Sequence, residues 1–389
     1  ADTRSLAPGF RLSPGAFMDP PGGSTQDFST PVWYTVTAED GVTTRLWKVE
    51  VFRPERTVTR NLASGWNWIS MNVQPADMTL GSLFSSLSLT DLDYLRSAGY
   101  SSTWYAATGW FGDLLEFPQY RMLRFRKSTA EILSISGEEI NPAITPIPLA
   151  RGWNDLSNLP GADEAINTAI DDASLPSGDI LQKGLYGSSV YFPGSGWTGE
   201  LDTLRVLHGY RAHFDNPGNL YYTIPGSKKS REVIYHERTA AVYERAKLLD
   251  EYKFRPEDFE FSASLIAEAM TSEGESFLES GDLLIARDKT GICGVSEAVF
   301  VPELDRYIFI LTYTSNEIGR VIRFYIKRSG HETEIETDLN PAFRPDEITG
   351  RPYEPHPLIL KDLELGINGQ AGNWFSIYPN PVADRLSIA

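Results

Sequence analysis

Gly65-Trp66-Asn67-Trp68-Ile69-Ser70 returns 87 residues later as Gly152-Trp153-Asn154-Asp155-Leu156-Ser157. The same offset relates Gly109-Trp110-Phe111-Gly112-Asp113-Leu114 to Gly196-Trp197-Thr198-Gly199-Glu200-Leu201. Ser101-Ser102-Thr103-Trp104 likewise matches Ser188-Ser189-Val190-Tyr191, again at 87. A fourth match, Tyr120-Arg121 with Tyr210-Arg211, requires a three-residue slip. Self-similarity at a fixed period identifies the folding unit before any local propensity is weighed. Residues 60–148 and 149–226 therefore read as two copies of one unit. Each is expected to hold a strand, a short helix and further strands.

The helix candidates are Thr79–Ala98, with Leu80, Leu83, Phe84 and Leu87 on one face, and Ala162–Ala173. In the second, Asp163 and Glu164 would sit in the first turn and complement the helix dipole. Repeated aromatics are explained most simply as core. Trp110 and Trp197, both flanked by glycine, are the exceptions singled out as possible ligand contacts.

Working outward from the repeats, residues 1–55 carry strand alternation. Val32, Tyr34 and Val36 face one way, and Trp47, Val49 and Val51 return after a Glu39-Asp40-Gly41 turn. Strand signal before Phe28 is weak, so this segment reads as a partial β module. Residues 227–253 are charge-rich and read as a connector with helical composition. From 254 to 360 the strand pattern resumes. Ile322, Phe324 and Ile326 alternate with polar neighbours, and Tyr307-Ile308-Phe309-Ile310-Leu311 reads as a strand buried on both sides. Glycine-bearing turns at Gly281, Gly291 and Gly330 separate the runs, giving one β-sandwich over 254–360. Residues 361–374 form a glycine-bearing linker, and 375–389 close the chain. The fold class expected is mainly β and multidomain.

Of 389 residues, 41% are hydrophobic and 22% charged, which places the chain among globular proteins rather than disordered ones. The net charge of −17 disfavours nucleic acid and anionic lipid as partners. A lone cysteine, Cys293, excludes an intramolecular disulfide, and its apolar context suits a buried structural thiol. No apolar run approaches the length of a transmembrane helix. No signal peptide is visible at the N-terminus, so either one has been removed or the sequence begins inside a longer protein. The five histidines form no zinc-binding pair on a helix, and His208 and His213 are spaced to fall on opposite faces of a strand. There is no nucleophile elbow, no phosphate loop and no EF-hand spacing, so neither an enzyme nor a cofactor is expected.

The ending Tyr378-Pro379-Asn380-Pro381-Val382, followed by Leu386-Ser387-Ile388, resembles the opening of the C-terminal sorting domain of type IX secretion substrates. Two prolines preset the chain before its first strand. The resemblance implies export through a type IX translocon in a Bacteroidota-type bacterium, to the extracellular space or the outer-membrane surface. Ser280-Gly281-Asp282-Leu283, Cys293-Gly294-Val295 and Tyr307-Ile308-Phe309 resemble the immunoglobulin-like module that precedes this signal in such proteins. Asp27-Phe28-Ser29 and Tyr34-Thr35-Val36-Thr37-Ala38 resemble their immunoglobulin-like repeats. The Gly-Trp-Asn units look like the aromatic tandem repeats of large Bacteroidota surface proteins. Together these resemblances imply immunoglobulin-like sandwiches flanking the duplicated units. The function implied is a non-enzymatic surface stalk or adhesin presenting modules to a glycan, matrix or protein ligand. An accessory region of a secreted hydrolase and a subunit of an extracellular fibre are the alternatives.

Overall fold

Each Gly-Trp-Asn motif begins the first strand of a five-stranded antiparallel sheet in a computed structural model. The structure describes residues 5–360 apart from 29, 52–54, 98, 225–246 and 272–273. The first repeat sheet runs Gly65–Ile69, Leu123–Lys127, Tyr94–Ser97, Tyr100–Tyr105, Gly109–Gly112. The second runs Gly152–Leu156, Tyr210–Phe214, Ile180–Lys183, Ser188–Phe192, Gly196–Gly199, the same order. Overall the protein is 47% strand and 6% helix, in small and mainly antiparallel sheets without a barrel, which meets the mainly-β expectation. Phe261–Met270 alone pairs in parallel among the described strands, with Ile348–Thr349 and His356–Ile359.

The motif has an atomic reason. Gly65 and Gly152 take φ of +105° and +89°, a turn that L side chains resist. Two residues on, Asn67 Oδ1 accepts from Ala63 N–H at 2.9 Å while Nδ2 donates to Ala63 and Gly65 carbonyls. Asn154 brackets Ala150 and Gly152 identically. The amide thus stands in for a neighbouring backbone and satisfies the turn's polar groups.

Register shows the duplication to be unbroken. Gly65 pairs with Lys127 and Gly152 with Phe214; Ile69 pairs with Leu123 and Leu156 with Tyr210. Every pair moves by 87, so the slip inferred at Tyr120-Arg121 is not a structural one. Leu123-Arg124, not Tyr120-Arg121, is the counterpart of Tyr210-Arg211. The chance repetition of Tyr-Arg three residues earlier drew the alignment off register.

The helices are one turn each, Leu80–Leu83 and Ile166–Ala169. The longer candidates fail because Tyr94–Ser97 is recruited as a central strand and Glu164–Ala165 pairs with Thr203–Leu204. Asp163 accordingly accepts from Val206 N–H instead of occupying a helical first turn.

The two units also exchange a loop. Ser70 N–H and Oγ donate to the carbonyls of Leu207 and His208, at 3.0 and 2.8 Å. Ser157 N–H and Oγ donate to Tyr120 and Arg121, at 3.1 and 2.8 Å. Each contact is the other shifted by 87 in opposite directions, so the interface is self-complementary within one chain. Tyr120 and Leu207 both sit at φ +59°, and each packs with the other unit's core. A strained backbone at both places is held by the packing it enables.

The N-terminal segment forms a three-stranded sheet, Phe17–Asp19, Val32–Thr37 and Thr44–Val49, over a small core of Met18, Phe28 and Tyr34. Asp40 Oδ1 accepts from Val42 and Thr43 N–H and closes the hairpin expected there. From 261 onward two sheets share one core, in which Leu265, Phe309 and Leu311 meet Leu284, Phe324 and Ile326. The opposite side of the same strands, Ile266, Ile308 and Ile310, packs on Leu181, Val190 and Phe192 of the second repeat sheet. That explains the doubly buried strand at Tyr307–Leu311: its second face is covered by the neighbouring unit. Residues 247–251 are helical, the only described part of the charged connector apart from its last two positions.

Candidate functional site

Direct cross-strand partners share a face. In the first repeat sheet Trp66, Arg126, Tyr94, Thr103 and Phe111 are successive partners and so form one row across five strands. The counterpart row in the second sheet is Trp153, His213, Leu181, Val190 and Thr198. There the C-terminal sheets cover the middle, leaving Leu181 and Val190 at 3% and 0% exposure.

The first row is covered only at one end. Trp66 is buried and meets Tyr94 edge-on at 6.0 Å between ring centroids. Arg96 pairs with Glu260 and lies 5.6 Å over Phe261. Past Tyr94 the row opens: Phe111 is 72% exposed and Tyr105 on the same face is 39% exposed, while Arg126, between Trp66 and Tyr94, is also exposed. The outcome is a strip in which the ring surfaces of Tyr94 and Phe111 are interleaved with the Arg126 guanidinium and the Thr103 hydroxyl. Such a strip stacks on the apolar face of a ring-shaped ligand while its polar groups take hydrogen bonds.

Trp110 and Trp197 lie on the opposite, inward side. Trp197 is 3% exposed within the second core, and Asn167 brackets it by accepting from its N–H at 2.7 Å and donating to its carbonyl at 3.1 Å. Trp110 is half-buried against Phe84, Phe125 and Trp104. Trp104–Trp110 and Tyr191–Trp197 are equivalent hairpin pairs, at 5.5 and 5.4 Å. Trp66 and Trp153 occupy equivalent strand positions, yet Trp153 is only partly buried. The sorting-signal residues Tyr378, Pro379, Asn380, Pro381 and Val382 lie outside the described residues, as does the linker.

Among the described residues no group of three or more His, Cys, Asp or Glu is placed to hold a metal ion. His208 sits in the loop before the strand Tyr210–Phe214 rather than on it, and burial first, then Arg60 and Arg205, pushes its pKa down to about 2. Burial pushes the Cys293 thiol up to about 12, far from a reactive thiolate. No described helix is long and apolar enough to cross a membrane.

One polar cluster was not visible in the sequence. Lys183, fully buried, lies 4.2 Å over the Trp153 ring, with Arg211 stacked at 5.1 Å. Trp153 Nε1 donates to the Asp346 carbonyl at 2.7 Å, and Lys183 donates to Ser262 at 3.0 Å. The cluster ties the second repeat sheet to the C-terminal sheets. Its members, Trp153, Lys183, Arg211, Ser262 and Asp346, are too far apart in the chain for local pattern to bring them together.

A family model described as "SGBP, N-terminal" matches residues 1–51. A solved structure described as a "putative glycoside hydrolase" from Bacteroides thetaiotaomicron aligns at 14% identity over 57% of this chain and 86% of that one. Its TM-score of 0.14 carries no structural argument. No curated protein matches the chain. The N-terminal segment is therefore similar to that of surface glycan-binding proteins of the Bacteroidota, which supports a surface protein of that group.

Proposed function

We propose that this chain belongs to a non-enzymatic, exported cell-surface protein that holds a glycan on the aromatic strip of its first repeat sheet. The observation that carries the reading is the open row Tyr94–Thr103–Phe111 with Tyr105 beside it, set against its covered counterpart in the second unit. The N-terminal match supports the glycan as ligand class. Aromatic faces stack on sugar C–H faces, and the adjoining guanidinium and hydroxyl orient the hydroxyl groups. The rest of the molecule acts as a stalk or adhesin body.

Affinity electrophoresis of the chain in gels containing neutral plant or microbial polysaccharides tests this. Retardation by at least one polysaccharide is expected, and Phe111→Ala with Tyr105→Ala should remove it without loss of fold. Unretarded migration in every gel, or retardation untouched by the double substitution, overturns the reading.

Export by the type IX route is part of the same proposal and rests on Tyr378-Pro379-Asn380-Pro381-Val382. A reporter fused to the complete C-terminal domain should reach the surface of a type IX-competent host. Reporter retained in the periplasm would make the motif a proline-rich linker.

A further inference from the structure

Arg60 stands in the strand Glu55–Leu62, opposite Leu133. The duplication supplies a control for this position. Ile147, 87 residues on, stands opposite Leu220, itself 87 beyond Leu133, and is 2% exposed. An aliphatic side chain therefore completes the fold at this point, and a guanidinium is not needed for packing. Arg60 is nonetheless 7% exposed. It donates to the carbonyls of Trp68 and, at 2.9 Å, Leu207, and no described carboxylate forms an ion pair with it. Its Nε is buried without a hydrogen-bond partner among the described residues. Burying a cation on carbonyls alone is costly, so the position calls for a reason outside the fold.

Arg60 lines a cleft of about 570 Å³ where the two repeat units meet the segment leading into the C-terminal sheets. A volume of this size falls in the range of small-molecule sites, roughly 300–1,000 Å³. Tyr186, Glu200, Arg205, His208 and Glu257 also line it. Burial first, and then the nearby Arg60 and Arg205, hold His208 neutral there. Most of these features do not recur at the counterpart positions: Tyr186, Arg205 and His208 correspond to Gly99, Pro118 and Arg121, and only Glu200 keeps an acidic counterpart, Asp113. The cleft belongs to one side of the duplication only.

We propose that this cleft is a second ligand site and that it takes a sugar acid, whose carboxylate docks on Arg60 and Arg205 while its hydroxyls meet Glu200 and Glu257. The unpaired buried guanidinium demands an anion, and a carboxylate matches its planar fork. Glu200 and Glu257, the latter paired with Arg255 at 3.3 Å, accept hydrogen bonds from the hydroxyls of a polyhydroxylated ring, which a bare inorganic anion lacks. Tyr186, 39% exposed, offers that ring a wall. The choice of a saccharide rests on the glycan reading above; the anion site itself does not.

Calorimetric titration of the full chain with glucuronate, galacturonate, glucose and sodium sulfate, at matched ionic strength, tests the site. Saturable binding is expected for a uronate alone. Arg60→Ile, which copies the counterpart position, should keep the thermal midpoint and weaken that binding by about tenfold or more. Arg205→Gln, at an exposed side chain, should weaken it several-fold and carries the test if Arg60→Ile fails to fold. No uronate binding, sulfate binding as strong as uronate, or uronate binding unchanged in both variants overturns the proposal. A chain retarded by neutral polysaccharide yet blind to uronates fails this inference alone; uronate binding with no polysaccharide retardation fails the aromatic strip alone.

Discussion

The side-chain amide of Asn67 holds both the N–H and the carbonyl of Ala63, and Asn154 does the same to Ala150. Asn67 is 2% exposed, whereas the bonds of Asn154 to Ala150 lie at the surface. Removing the first amide strands polar groups away from water; removing the second lets water replace it. Asn67→Ala should therefore cost about 1–3 kcal/mol, and Asn154→Ala well below that, by urea denaturation. Equal losses would mean that the brackets act alike and that burial is irrelevant to them. At this scale the sequence was legible in identity but not in role. Gly-Trp-Asn drew attention to the tryptophan, because side-chain size signals packing. The asparagine, which makes the motif recur, carries no such signal until its partners are adjacent.

The strand Ile180–Lys183 shows how an element changes meaning when covered. It carries a lysine, yet the C-terminal sheets close over it and leave Lys183 fully buried. Burial first, and then Arg211, brings the Lys183 ammonium from 10.5 down to about 7, against the opposing pull of Asp346; Arg124 also lowers it. A lysine with a depressed folded pKa binds its proton more weakly folded than unfolded. Its penalty is thus full below about 7 and is relieved as pH rises toward 10.5, so its contribution makes stability increase across that window. Thermal midpoints between about pH 6.5 and 9.5 should rise, and Lys183→Met should flatten the slope. A wild-type slope equal to the variant's would refute the assignment to Lys183. The helices illustrate the converse. Leu80, Leu83 and Phe84 do form a buried helical turn, with Thr79 accepting from Ser82 N–H at its start, but Tyr94–Ser97 pairs as a central strand instead of forming the last turn of a long helix.

Across the molecule, buried clusters link residues 55–224 with 247–360 without a gap. Leu207 enters the first repeat core, Tyr120 packs against the second, and Ile266, Ile308 and Ile310 join the second to the C-terminal sheets. Among the described residues the N-terminal core draws only on residues 6–49. Calorimetry should accordingly show a small transition for the N-terminal sheet and one larger cooperative transition for the rest. Ile310→Ala, at a cost of about 2–5 kcal/mol, should lower the larger transition as a unit. A third transition splitting away in that variant would show that the repeats and the C-terminal sheets fold independently.

Three things were determined by the sequence itself: the mainly-β class, the 87-residue duplication and the acidic, cysteine-poor character. Each depends on local alternation, on repetition or on simple counting, none of which needs a third dimension. An unbroken apolar run also located the doubly buried Tyr307–Leu311, though not what covers its second side. The loop exchange, the covering of one repeat sheet and the opening of the other were decided only in the tertiary structure. Trp110 and Trp197 face inward while Phe111, adjacent to one of them, faces out, because strand parity assigns faces but only the sheet's neighbours decide which face meets water. Arg60 and Ile147 make the same point. They occupy one position of one fold, and the difference between a core residue and the floor of a cleft arises from what the second unit and the segment at Glu257 build around it.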